Sequence, residues 1–284
     1  MSNDIPAPQW KPGPGAKTKN DFALLCSAVQ AQSGVRIDER KRPFALARFR
    51  KRMQALDIES LEIYSLHALK NTDELQACIE AVVTHHTQFF REQAHFDSLS
   101  KNLLAGVSGE FRVWCAACSS GEEAYTLAIT LDQWARLGLG RSYAVHASDI
   151  SERVLQVASA GVYSQEALAL ALPRADWLSS YFQKGTGSQL GKCRVKADLR
   201  ANVHFYLHNV LRQTTGEMIG SMPVDAIFCR NVLIYFEAST QAMVVDRLLS
   251  CLKPSGHLFV GLTEHVSVQA HNVTSLGGGI YKKL

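Results

Sequence analysis

Residues 111–129 read FRVWCAACSSGEEAYTLAI, an apolar run that passes through small residues and a single glycine into a helical pattern opened by two glutamates. The aromatic and β-branched content of 111–117 predicts a strand, and the apolar spacing over 122–138 predicts a helix. In a doubly wound sheet the turn between them, Ala116 to Glu123, is where backbone approaches a nucleotide-like ligand, and small side chains permit that approach. A dinucleotide fingerprint needs G-x-G-x-x-G and a helix N-terminus left bare for a pyrophosphate. Here Gly121 stands alone before Glu122 and Glu123. Two carboxylates repel phosphate and suit a phosphate-free, positively charged cofactor such as S-adenosylmethionine, a sulfonium that also carries an ammonium group. Complementing the helix dipole explains the same pair equally well.

The pattern continues outward from this unit. Strand-like SYAVHASDI (142–150), ANVHFYLHNV (201–210), DAIFCRN (225–231) and HLFVGLT (257–263) alternate with helix-like segments at 151–161 and 238–253. Such alternation predicts an α/β fold with a mostly parallel sheet. Asp149 closes the second strand where Rossmann-type sheets bind ribose hydroxyls; capping the following helix is the alternative. A last strand within 277–284, with no crossover helix before it, is expected to pair antiparallel at the edge. The Gly- and Lys-rich stretch at about 181–198 predicts an inserted hairpin, with Gly185, Gly187 and Gly191 beside the strand-like run KCRVKA (192–197).

Upstream, residues 1–20 hold four of the eight prolines without apolar periodicity and predict a flexible tail. Residues 21–90 are helical in pattern: Phe22, Leu25 and Val29 share a face before Gly34, and Leu46, Phe49, Met53 and Leu56 mark a second helix. Two more helices follow, the last with Thr72 as its cap. The segment 36–52 (RIDERKRPFALARFRKR) carries eight basic and two acidic residues. Within it Arg48, Lys51 and Arg52 fall on one helical face, which suits an acidic partner met with electrostatic steering.

A net charge of +4 over 284 residues is too small to imply nucleic-acid binding by itself. Seven scattered cysteines without a signal-peptide pattern argue for a reducing, cytoplasmic setting, and no stretch has the length of a membrane span. Cys115 and Cys118 have the spacing of a metal or redox pair but lack a second such pair, so no metal is expected.

THHTQFFREQAHF (84–96), WCAACSSGEEAYTLAI (114–129), ASDISERVLQVASAGVYS, HNVL, VDAIFCRNVLIYF and LKPSGHLFVGLTE together resemble, in order and spacing, the chemotaxis receptor glutamate methyltransferases of the CheR type. The resemblance runs from about Asp21 to the end. It implies a helical receptor-recognition domain (21–90) and a Rossmann-like methyltransferase domain (91–284) carrying a small antiparallel β-subdomain. It further implies methyl transfer from S-adenosylmethionine to glutamates on chemoreceptor cytoplasmic helices, leaving S-adenosylhomocysteine. The matching cofactor positions are Thr87, Arg91, Ala116, Glu123, Asp149, Asn209 and Asn231, with Arg91 and Tyr235 nearest the transferred methyl. Some relatives hold a receptor C-terminal peptide on the β-subdomain, a role that here falls to Gly185, Gly187, Gly191, Lys192 and Arg194. Two departures stand out: His85 where relatives commonly have Asn, and Ala124 where they commonly have Pro. Two rival readings are a nucleic-acid methyltransferase, which lacks its D/N-P-P-Y/F type motif at Arg230-Asn231-Val232-Leu233, and a non-catalytic binding module.

Overall fold

In the computed structural model, which describes residues 19–212 and 223–284, strand β1 (Glu110–Ala116) is buried at every residue after Glu110. A parallel strand covered on both faces requires this. β1 pairs in parallel with β2 (Ser142–Asp149) on one side and β7 (Val224–Cys229) on the other, with Trp114 opposite both His146 and Ile227. β6 (Val203–Leu207) extends the sheet beyond β2 and β8 (Leu252–Phe259) beyond β7, both parallel. Alternate residues of β1 serve different cores. Val113 and Cys115 pack with Leu127 and Leu131 of α6 (Glu122–Ala135), whereas Trp114 and Ala116 pack with Val244 and Leu248 of the helix Ala238–Ser250.

The last strand, β10 (Ile280–Lys283), is antiparallel to β8 as expected, but it is not the edge. β9 (Val273–Gly277) lies outside it, giving the order β6-β2-β1-β7-β8-β10-β9. The insert forms the expected hairpin from β4 (Phe182–Lys184) and β5 (Lys192–Val195), and β3 (Val162–Ser164) adds a third strand on the far side of β5. β5 is therefore the middle strand of this small sheet.

Contacts divide the chain into two units, one ending at Gln32 and resuming over Ile37–Val82, the other comprising Ser33–Arg36 with Val83–Leu284. Residues 83–90, expected to close the helical domain, thus belong to the second unit. Residues 1–18 of the expected tail lie outside the described residues; Lys19 and Asn20 open α1 (Lys19–Ser33). In the first unit, α1 buries Leu25 and Val29 as expected. α2 (Arg42–Ala55) instead turns Ala45, Phe49 and Met53 inward and leaves Leu56, just past its end, exposed. α3 (Leu61–Lys70) is capped by Ser60. α4 (Thr72–Val82) is capped by Asn71 rather than Thr72, its Oδ1 accepting from the backbone N–H groups of Asp73 (3.0 Å) and Glu74 (3.2 Å).

Arg52 does not share the exposed face of Arg48 and Lys51. Its guanidinium forks onto the buried Glu74 carboxylate, with Nε at 3.1 Å and Nη2 at 2.7 Å, and the Tyr64 hydroxyl donates to the same carboxylate at 2.7 Å. This removes Arg52 from the set available to a partner.

Candidate functional site

The turn after β1 is stapled to the end of β2. Cys118 N–H donates to Ser148 O (2.9 Å) and Ser119 N–H to Asp149 Oδ2 (2.9 Å), while Ser151 N–H donates to Asp149 Oδ1 (3.0 Å). Asp149 is therefore not the cap of α7 (Glu152–Ala160); that is Ser151, whose hydroxyl accepts from Val154 N–H. Burial pushes the Asp149 carboxyl up, and the backbone donors oppose it. An ionised carboxylate accepts up to about four hydrogen bonds, so these backbone donors leave it capacity for a ribose hydroxyl.

Residues 83–91 are held against this turn from the other side. Ser119 Oγ donates to His85 O (3.0 Å), and Phe90 N–H donates to Thr126 Oγ1 on α6 (3.1 Å). Phe89 and Phe90 are buried anchors, Phe89 edge-on to Tyr163 and Phe90 against Phe96 and Trp177. Anchored this way, the FFRE motif carries Thr87 and Arg91 to the site; Arg91 Nη1 donates to His86 O (3.0 Å).

Arg230, the residue after β7, ties these pieces together, a role that no local motif in the sequence signals. Its side chain is fully buried, with Nη1 on Glu123 Oε2 (2.7 Å), Nη2 on Glu92 Oε2 (3.0 Å) and on Arg91 O (2.5 Å), and its guanidinium over the Phe96 ring. Burial raises the Glu92 carboxyl, but the Arg230 hydrogen bond and charge outweigh it and hold the group below its ordinary range. For Glu123 burial prevails and the carboxyl is pushed up, with Arg230 working against it.

Glu264 performs a second service that the sequence did not reveal. Its buried carboxylate accepts from Asn231 N–H (2.8 Å), Gly261 N–H (2.6 Å) and Ile234 N–H (3.2 Å), fixing the loop from Asn231 to Tyr235. Gly261 leaves room for this cluster: a Cβ there would stand 2.6 Å from Asn231 Nδ2 and 2.9 Å from Glu264 Oε2, so those side chains would have to shift. Among the described residues, five of the seven non-glycine positions with positive φ, namely Phe90, Glu92, Ala117, Ser119 and Asn231, surround this region. Strained backbone of this kind persists only where neighbours over-determine it.

Thr87, Arg91, Glu123, Asp149, Asn209, Asn231 and Tyr235 all line one cavity, as does His85. Ala116 does not. It is fully buried on the face of β1 toward the helix Ala238–Ser250, and Ala117, the next residue, lines the cavity in its place. Only one of the paired glutamates faces the cavity: Glu122 instead accepts from Ser120 Oγ (2.7 Å). Ala124 is buried in the core behind α6. Cys115 donates its thiol to Glu123 Oε1 (3.3 Å), and burial pushes the Cys115 and Cys118 thiols well up. Among the described residues no cluster of three or more His, Cys, Asp or Glu is placed to hold a metal ion. Arg48, Lys51 and Arg52 belong to the first unit, and Gly185, Gly187, Gly191, Lys192 and Arg194 to the small sheet and its loop.

Of the charged groups that line the cavity, two carboxyls (Glu123, Asp149) stand with two guanidiniums (Arg91, Arg230), while Glu92 lies outside the lining on Arg230. With a ribose-type acid at the second strand and no glycine-rich phosphate cradle, the arrangement defines a nucleoside-binding α/β domain and fits a phosphate-free cofactor.

The chain belongs to the CheR methyltransferases: residues 20–83 match the CheR methyltransferase all-alpha domain and residues 85–281 its SAM binding domain. S-adenosylmethionine is accordingly its cofactor. Among similar proteins, the chemotaxis protein methyltransferase of Salmonella typhimurium is 37% identical over 262 residues, covering 92% of this chain and 88% of the relative. That of Escherichia coli is 36% identical, covering 92% and 89%. Chemotaxis protein methyltransferase 2 of Pseudomonas aeruginosa is 34% identical over 283 residues, 99% of both chains.

Proposed function

We propose that this protein transfers a methyl group from S-adenosylmethionine to glutamate carboxylates on the cytoplasmic helices of chemoreceptors, giving glutamate methyl esters and S-adenosylhomocysteine. The observation that carries this reading is the convergence of Thr87, Arg91, Asp149, Asn209, Asn231 and Tyr235, from widely separated segments, on one cavity. When bound, the cofactor supplies a methyl group activated by the sulfonium. Asp149 accepts from the ribose hydroxyls, and Glu123, held by Arg230, turns its carboxyl toward the cationic end. Asn209 and Asn231 supply amide donors and acceptors along the wall. A substrate glutamate, with a reference pKa of about 4.3, is already ionised at pH 7, so no side chain needs to act as general base. Arg91 and Tyr235 orient that carboxylate, and the chain's contribution to rate is alignment and exclusion of water, with near-attack positioning alone supplying several kcal/mol (about 7 or more at best).

For the receptor, Arg48 and Lys51 stand exposed on α2 and Arg50 with them, while Arg52 is engaged by Glu74. They form the basic surface for acidic receptor helices. For a receptor tail peptide, β5 has neighbours on both sides, so strand addition falls to the outer edges of β3 or β4, and Lys192 and Arg194 act only through their exposed side chains. Such a tether raises the local concentration of substrate. The reading sets the protein in the cytoplasm; among the described residues no helix is long and apolar enough to cross a membrane.

Incubation of the full chain with labelled methyl donor and a receptor signalling domain is expected to give base-labile label on glutamates and none on nucleic acid. Label on nucleic acid alone, or cofactor binding without any transfer, would sink the assignment. Titrating receptor tail peptides against the protein and a variant lacking residues 185–191 tests the tether, which no binding by either form would reject.

A further inference from the structure

The four residues Ser33–Arg36 begin at the last residue of α1 and precede Ile37 of the first unit, yet they pack as part of the second. They lie outside residues 85–281, the part of the chain that matches the SAM binding domain. Ser33 and Val35 nevertheless line the cofactor cavity, and both are buried. Gly34 takes φ +72°, and a Cβ on it would stand 2.8 Å from Phe236 Cε1 and 2.9 Å from Leu211 Cδ1. Two residues on, Arg36 N–H donates to the backbone carbonyl of Tyr235 (3.0 Å). Tyr235 is thereby gripped from two directions: Glu264 fixes the loop before it through Asn231 and Ile234, and this short segment holds its carbonyl.

We propose that Ser33–Arg36 is a positioning strap for the methyl-transfer site, walling the cofactor cavity with Ser33 and Val35 and aiming Tyr235 through the Arg36 latch. A side chain at position 34 cannot be added without displacing Phe236 or Leu211, and a left-handed φ disfavours any Cβ there. Moving Phe236 moves the adjacent Tyr235, whose carbonyl then leaves the Arg36 N–H. Because the strap is continuous in sequence with α1 and with the segment leading to α2, a SAM binding domain cut from the all-helical domain would lack part of its own cavity wall. The proposal rests on assigning this cavity to S-adenosylmethionine.

The test uses the full chain. Calorimetry with S-adenosylhomocysteine on Gly34→Val should show affinity weakened at least tenfold, with KM for S-adenosylmethionine raised and kcat lowered in the folded protein. Gly34→Val that is folded and binds as tightly as the parent would overturn the proposal, whatever its melting temperature. Hydrogen exchange on the unaltered protein gives a second measurement that needs no variant. Saturating S-adenosylhomocysteine should slow exchange over residues 33–36 together with residues 232–236. Slowing at 232–236 with none at 33–36 would overturn the strap while leaving the cofactor assignment standing; no slowing at Asp149 or 232–236 would overturn both.

Discussion

Removing Arg230 should expose how much of the site depends on one buried charge. In Arg230→Met the side chain keeps its apolar bulk against Phe96 but Glu92 and Glu123, only 15% and 14% exposed, lose their shared cation at 3.0 and 2.7 Å. Breaking a buried pair from one side typically costs about 3–5 kcal/mol, because the remaining charge stays desolvated. Here two carboxylates are left, so the upper part of that range is expected at neutral pH. The pH dependence follows from the directions of the shifts. With Arg230 present, the Glu92 carboxyl lies below its unfolded value, so its ionised form contributes stability above that value, and the contribution is lost as pH falls through the folded one. Without Arg230, burial, the largest influence on both groups, is opposed only by the Asn231 hydrogen bond and His95 at Glu92 and by the Cys115 hydrogen bond at Glu123, and both carboxyls are expected to rise. Their ionised forms then oppose folding at high pH, and protonation relieves this as pH falls. Urea unfolding of both proteins at pH 8 and pH 5 should therefore show a deficit that is full at the higher pH and smaller at the lower. A deficit below about 1 kcal/mol, or one equal at both pH values, would refute the clamp as drawn.

Asp149→Asn should weaken S-adenosylhomocysteine binding roughly ten- to hundredfold, the value of a hydrogen-bonded charge at about 1.5–3 kcal/mol, with NAD failing to bind either form. Unchanged affinity by calorimetry would remove Asp149 from the site. Tyr235→Phe and Arg91→Ala should lower turnover far more than thermal stability, and a matched loss of both would make them structural. Charge reversal at Arg48 and Lys51 should slow receptor methylation, mimicked by added salt, while leaving cofactor affinity intact. Arg52→Met should instead destabilise the first unit by roughly 1–3 kcal/mol, between the surface and buried limits, since Arg52 is about a third exposed while Glu74 is buried. Burial raises the Glu74 carboxyl, but the Arg52 and Tyr64 hydrogen bonds outweigh it, so that stability is present above the unfolded carboxylate value and fades in acid.

The alternation of strands and helices around β1 and the place of Asp149 could be read from local pattern because they rest on short periodic runs and a strand end, whereas Asn231 and Tyr235 came only with the resemblance of their motif to the CheR family. Arg230, Glu92 and Glu264 could not be read that way. Arg230 meets partners 107 and 138 residues away, and Glu264 reaches back 33 residues to Asn231, separations over which no periodicity carries information. Ala116 is the last residue of β1 and faces the core, and the cavity takes Ala117, the first residue past the strand, where the backbone turns through a positive φ that local pattern does not signal. Arg52 sits where a helical wheel groups it with Arg48 and Lys51, yet an acidic partner on α4 turns it away. β9 escaped notice because only Val273 of its five residues is buried, leaving no alternation to see.

All seven cysteines are free and buried, and they divide between the units: Cys26 and Cys78 in the first, Cys115, Cys118, Cys193, Cys229 and Cys251 in the second. Burial pushes the Cys26 and Cys78 thiols to about 11 and Cys229 well up, so the reactive thiolate is scarce while either unit is closed. An alkylating reagent therefore reaches each group only through opening of the unit that holds it. Mass spectrometry of modified peptides turns these thiols into two clocks on one chain, one ticking with the helical unit and the other with the sheet that carries the cofactor cavity.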